Sequence, residues 1–252
     1  VRAFSSSSPE SIGDEPFQIF KKFNKINVVV DSNRVRGVSK ILSEEPKTDL
    51  IVLDDCFQHR KINLKLNIIL TTYHSPFYND FIIPVGNLRE QRNSYKRADV
   101  IIVTKCPELI SNDDLDHFRK KIQLHNNQNI FFTKINYDNN LKGDSKINLD
   151  LILDPIILVT GIANSDPIVD FLKNSRVVFE HISYSDHFNY SQNDIDKIEK
   201  NSNKLIITTE KDFQKIQLLK RKNKWVYLEI KIEFLENESI FNSLIDKAIN
   251  TS

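Results

Sequence analysis

Short apolar runs alternate with stretches whose apolar residues recur every three or four positions, over most of the chain. INVVV (26–30), DLIVLDD (49–55), LNIILTT (66–72) and DVIIVTK (99–105) are rich in Ile and Val, which favours strands covered on both faces. Helical spacing occupies 14–24, 33–44 and 112–125. NNLKGDSKINLD (139–150), polar and carrying Gly143, interrupts the pattern and is expected to be a boundary or linker. A second series follows. PIILVTGI (155–162), RVVFEHIS (176–183), KLIITTEKD (204–212) and WVYLEI (225–230) read as strands, the third opening into a helix. Further helices are expected near 165–174, 191–201 and 235–249. Such alternation implies an α/β fold.

Composition narrows the function classes. The 252 residues suffice for one large domain or two small ones, and 40% hydrophobic with 27% charged residues is ordinary for a globular chain. A net charge of +1, without a basic stripe interleaved with aromatics, gives no reason to expect a nucleic-acid partner. Cys56 and Cys106 lack CxxC spacing and the six histidines form no HxxxH or HExxH pair, so neither a disulfide framework nor a histidine-bound metal is expected. No apolar run approaches the roughly 18 residues that cross a bilayer, so membrane contact by these residues would be peripheral. The chain begins at Val1 and contains no Met, and is therefore expected to be a piece of a longer protein, initiator removal being the alternative.

Five segments can carry chemistry. LIVLDDCFQHR (50–60) places Asp54 and Asp55 after an apolar run, where open α/β sheets bind ligands and a carboxylate can hold Mg²⁺ near phosphate. Spacing alone supports a polar turn equally well. IIPVGNLREQRNSYKRAD (82–99) turns at Pro84 and Gly86 and then presents Arg89, Glu90, Arg92, Lys96 and Arg97, a phosphate-binding set or a solvated helix start. In SIGDEPF (11–17), Asp14 is a general base if it faces a hydroxyl, and otherwise a helix N-cap. SYSDHFNYS (183–191) puts Asp186 and His187 in a loop, where an imidazole can orient a base. TEKD (209–212) opens a helix with an acidic first turn. No GxxxxGK[ST], GxGxxG or GxSxG occurs.

In order and spacing, these segments resemble the tetraacyldisaccharide 4'-kinase family of lipid A synthesis. The matching pieces are GDEP (13–16), DSNRVRG (31–37), LDDCFQHR (53–60), IPVGNLRE (83–90), RADVIIVTK (97–105), TGI (160–162), SDH (185–187) and TEKD (209–212). They span nearly the whole chain from residue 12, and TKCP (104–107) resembles the Bacteroidetes branch. The resemblance implies a P-loop NTPase-like sheet plus a smaller C-terminal α/β domain: kinase portion 1–138, linker 139–154, second domain 155–252. It implies transfer of the ATP γ-phosphate to the 4'-hydroxyl of tetraacyldisaccharide 1-phosphate, giving lipid IVA, by a monomer at the cytoplasmic face of the inner membrane. Asp14 then matches the catalytic base and His187 its dyad partner from the other domain. Asp55 and Glu90 match positions linked to Mg²⁺, while Asp54, Gln58, Arg34 and Arg89 match nucleotide- or phosphate-binding positions. The family's phosphate-binding loop lies upstream of GDEP and would precede Val1, so the 252 residues alone are expected to bind ATP poorly and not to turn over.

Two positions depart from the family pattern: Cys56 replaces Gly or Ala and Val85 replaces Ala, and a positive φ at Cys56 would strain that turn. The alternatives are a non-catalytic remnant that binds lipid or a protein, and a P-loop kinase for another phosphorylated sugar or lipid.

Overall fold

The structure, a computed structural model, describes residues 1–23, 25–125, 127–200 and 203–250. Asn24 and Asn201, each the last residue of an expected helix, lie outside the described residues. In chain order the elements are α1 (Pro9–Ile12), α2 (Asp14–Lys22), α3 (Arg34–Glu44), β1 (Ile68–Thr72), β2 (Val100–Thr104), α4 (Asn112–Ile122), β3 (Asn129–Tyr137), β4 (Asn140–Gly143) and β5 (Ile147–Asn148). Then come β6 (Ile156–Thr160), α5 (Asp166–Asn174), β7 (Phe179–Ser183), α6 (Gln192–Ile198), β8 (Ile206–Thr209), α7 (Glu210–Ile216), β9 (Trp225–Leu228), β10 (Ile230–Phe234) and α8 (Glu238–Asn250).

The chain forms two compact units, and neither is continuous in sequence. One joins Val1–Val30 to Tyr137–Lys231; the other joins Asp31–Asn136 to the segment from Ile232. The expected division into 1–138, a linker over 139–154 and 155–252 groups the residues differently. Residues 139–154 are not a bare linker, because β4 and β5 extend a sheet, β4 pairing antiparallel with β9. Gly143 belongs to that strand: its φ of 136° and the Trp225 carbonyl 2.7 Å from where a β-carbon would stand leave room for glycine alone.

The first unit carries a six-stranded sheet, ordered β5-β4-β9-β8-β6-β7, in which β7, β6, β8 and β9 run parallel. Side chains alternate across a strand, and β6 shows why its run is apolar throughout. Ile156 and Leu158 join one core with α5 residues Ile168 and Leu172, while Ile157 and Val159 join another with Ile195 and Ile198 of α6 and Phe213 and Ile216 of α7. Each such buried side chain contributes about 1.5–3 kcal/mol of transfer free energy.

In the second unit the sheet runs β1-β2-β3-β10, with β1, β2 and β3 parallel. Ile101 and Val103 of β2 pack with Leu115, Phe118 and Ile122 of α4; Val100 and Ile102 face Phe131, Phe234 and the α8 residues Phe241 and Leu244. Two expected strands do not form. In 26–30 only Val29 makes an isolated bridge, to Arg2, and 49–55 carries no strand. Leu50 and Val52 are 55% and 82% exposed, an apolar run without a partner strand among the described residues.

Candidate active site

Strand order locates a crevice in the first unit. From β6 the chain moves to β7 on one side and then to β8 on the other, so its direction reverses between β6 and β8. Open parallel sheets bind ligands at the carboxyl ends of the strands flanking such a reversal. Here the two ends are joined by a buried carboxylate. Asp212 Oδ2 accepts from the Gly161 amide at 2.9 Å and the Thr209 hydroxyl at 2.7 Å, while Thr209 caps α7 by accepting from the Asp212 amide. Gly161 is required there, since a β-carbon would stand 2.8 Å from the Tyr190 hydroxyl and 2.9 Å from Asp212 Oδ1. Burial, with Asp212 beside it, pushes the Tyr190 phenol far above its ordinary range. TGI and TEKD thus meet in one scaffold at the sheet edge.

Asp14 and His187 are part of this unit. Asp14 does not cap α2, as its motif allowed; Gly13 takes the cap position with φ 94°, and Asp14 is the first helical residue. Its carboxylate is committed elsewhere. Oδ2 lies 3.0 Å from His187 Nδ1 and 2.7 Å from Lys215 Nζ. Burial would raise the Asp14 pKa, but the Lys215 hydrogen bond, then that of His187, and the charges of both hold it below the ordinary value. His187 has a left-handed backbone, φ 58°, an uncommon conformation that aims the ring back at α2. Its other nitrogen, Nε2, lies 3.4 Å from Lys211 Nζ. An ammonium has no lone pair, so in that contact Nε2 accepts; the ring proton of a neutral His187 then sits on Nδ1 and is donated to Asp14. Lys211 also holds Asp186 at 3.2 Å. Asp14 and His187, which the expected boundaries put in different domains, belong here to one compact unit.

The far end of α2 is anchored as well. Lys22 Nζ lies 3.0 Å from Glu210 and 2.7 Å from Glu229, and Glu229 also meets Lys142 at 2.5 Å. Phe17, 2% exposed, packs with Ala3 and Ile12 between these ionic ends. Sequence reasoning missed Lys22, Lys211 and Lys215. The i, i+4 spacing of Lys211 and Lys215 on one helical face was an available signal.

The second unit gathers most of the remaining expected residues. Asp55 has φ 48°, so the left-handed position in LDDCF is Asp55 rather than Cys56. Asp55 Oδ2 meets Arg89 at 2.6 Å, Gln58 Nε2 donates to the Asp55 carbonyl at 3.2 Å, and Arg34 donates to the Asp54 carbonyl at 3.2 Å. Glu90 pairs instead with Arg97 at 2.5 Å, whose guanidinium stacks 4.4 Å over Phe57. Among the described residues no three His, Cys, Asp or Glu side chains converge on a point that could hold an ion. The donors nonetheless suit Mg²⁺ in kind: hard carboxylate oxygens, Asp55 in the open, for an ion that takes one or two carboxylates and completes its shell with water and phosphate.

Comparison with known proteins follows the motifs. A family model described as LpxK, Tetraacyldisaccharide-1-P 4'-kinase, matches residues 1–250. The chain belongs to this family. A tetraacyldisaccharide 4'-kinase of Flavobacterium johnsoniae is 38% identical over 245 residues, covering 96% of this chain and 72% of the relative. Those of Flavobacterium psychrophilum and Bacteroides thetaiotaomicron are 39% and 37% identical, with 100% and 94% of this chain covered and 74% and 69% of theirs. The crystal structure of an "apo" form LpxK from Aquifex aeolicus in complex with ATP superposes with a TM-score of 0.73 at 24% identity. It covers 97% of this chain and 71% of that one, and it shares the fold expected for a 4'-kinase family member.

Proposed function

We propose that Asp14 is the general base of this 4'-kinase and that His187 orients it. The protein transfers phosphate from ATP to the 4'-hydroxyl of tetraacyldisaccharide 1-phosphate, a lipid A precursor. The observation that carries the assignment of the base is the 3.0 Å Asp14–His187 pair at the β6–β8 edge. In the transfer, the 4'-oxygen forms its bond to the γ-phosphorus as the bond to the ADP oxygen breaks, and Asp14 takes the hydroxyl proton. His187 holds the carboxylate in place through Nδ1–H. Positioning and charge carry most of phosphoryl transfer, with a base contributing about 10²–10⁴-fold.

In the second unit we assign Arg34 and Arg89 to the nucleotide phosphates, Asp54 and Gln58 to the same nucleotide site, and Asp55 and Glu90 to Mg²⁺, which when bound would neutralise phosphate charge. Arg89, held to Asp55 through a single guanidinium nitrogen at 2.6 Å, can exchange that carboxylate for a phosphate oxygen. We also assign the enzyme to the cytoplasmic face of the inner membrane, a location that suits an acylated substrate. No helix among the described residues is long and apolar enough to cross a bilayer. Exposed Phe81, Ile82 and Val85, lining a cleft of about 490 Å³ with Arg92, favour peripheral contact with lipid. A monomer suffices for the dyad, since one chain supplies both members.

The test is His187→Ala in the protein as its gene encodes it. kcat should fall far more than KM rises for either substrate, and an unchanged kcat would remove His187 from the mechanism.

A further inference from the structure

Asp14 Oδ2 has a partner nearer than His187. Lys215 Nζ stands 2.7 Å away, against 3.0 Å for the imidazole, and it also donates to the Phe188 carbonyl at 3.3 Å. The two side chains differ in setting. That of Lys215 is 9% exposed and that of His187 57%. Lys215 also projects from α7, whose first turn is pinned to Gly161 through Asp212, so its ammonium is placed by the sheet edge itself.

We propose that Lys215 is a positioning residue for phosphoryl transfer: it fixes Asp14 Oδ2, leaves Oδ1 to receive the hydroxyl proton, and ties α2 to the loop carrying His187. The proposal rests on Asp14 being the base. Oδ2 is saturated by two donors, Lys215 Nζ and His187 Nδ1. The cost is basicity, since a carboxylate so held binds a proton less readily; the return is that it stays ionised when substrate arrives. The other charged groups facing the pair are Glu10 of α1, whose charge opposes that of the lysine at Asp14, and Lys211 and Asp186, which face the far side of the His187 ring.

The sign follows directly. Asp14 must be deprotonated to act, so the acid limb of kcat/KM marks its protonation, and loss of Lys215 moves that limb to higher pH. In the protein as its gene encodes it, with ATP and tetraacyldisaccharide 1-phosphate, Lys215→Gln should raise the limb by about one pH unit and lower kcat about tenfold, leaving KM for ATP within about twofold. Lys215→Arg keeps the charge and should leave the limb in place while reducing kcat, because a planar fork cannot reproduce the ammonium position. A limb that moves in neither variant, or an undiminished kcat in Lys215→Gln, overturns the proposal. Should Lys215→Gln fail to fold, NMR titration of the Asp14 carboxyl in the unmodified protein decides the matter: a value at or above the ordinary 3.8 overturns it. Asp14→Asn separates this from the underlying assignment, since turnover retained in that variant refutes the base and not merely its partner.

Discussion

Replacing Lys22 with Gln removes the cation shared by two nearly buried carboxylates. The Glu210 and Glu229 side chains are 10% and 14% exposed, and that of Lys22 is 32%. Glu229 keeps Lys142 at 2.5 Å, so the group left uncompensated is Glu210. Breaking a fully buried pair costs about 3–5 kcal/mol and an exposed pair about 0–1. A one-third exposed lysine falls between them, and Glu210 retains the favourable field of the α7 N-terminus, which returns roughly 0.5 kcal/mol. The expected loss is therefore about 1.5–2.5 kcal/mol. It should appear as local release of α2, read by native-state hydrogen exchange of the Phe17–Lys22 amides, since a chain of two units need not unfold in a single step. The double variant Lys22→Gln/Glu210→Gln should be less damaged than the sum of its parts by about 1 kcal/mol. The pH dependence supplies a second check. Lys142 and then Lys22 hold the Glu229 carboxyl below its ordinary 4.5, so its contribution is complete above that pH and drains away as the pH falls through the lowered folded value. Additive single effects, or exchange rates unaltered in Lys22→Gln, would refute the clamp.

Three further outcomes are expected. Asp212→Ala strands the Gly161 amide and the Thr209 hydroxyl and should cost about 3–5 kcal/mol, read as a lowered thermal midpoint of the first unit. Gly161→Ala drives a methyl group into the Tyr190 hydroxyl and Asp212, and should cost about 1–3 kcal/mol in urea unfolding while slowing turnover through the same sheet edge. Gly86→Ala drives a methyl group into the Asp80 carboxylate and the Phe81 carbonyl and should disorder the 80–88 turn, visible as lost amide dispersion there, with the first unit unaffected.

The parallel strands β1, β2, β6, β8 and β9 were legible as short apolar runs, and β7 through the RVVFEHIS stretch that contains it. β3 and β10 were not. NIFFTKINY and IKIEF mix polar and apolar residues, and β10 is exposed at Ile230 and Ile232. β4 is polar and glycine-ended, so its place beside β9 depends on a partner more than 80 residues away. The opposite error befell LIVLDD, whose apolar run lacks a strand to pair with. At the site, Asp14 and His187 were found through motif resemblance, for no periodicity links positions 173 residues apart. Lys215 escaped because a lysine on a short amphipathic helix reads as solvated until burial shows otherwise.

Because the first unit is assembled from both ends of a long detour, its history during synthesis is unusual. Val1–Val30 leaves the ribosome early, yet the strands it packs against begin at Tyr137. At about 5–20 residues per second, Asp14 waits roughly ten to thirty-five seconds for the imidazole that completes its pair. Until then its carboxylate stands without either cation, while Phe17, Ile12 and Ala3 belong to a cluster drawn wholly from the first thirty residues.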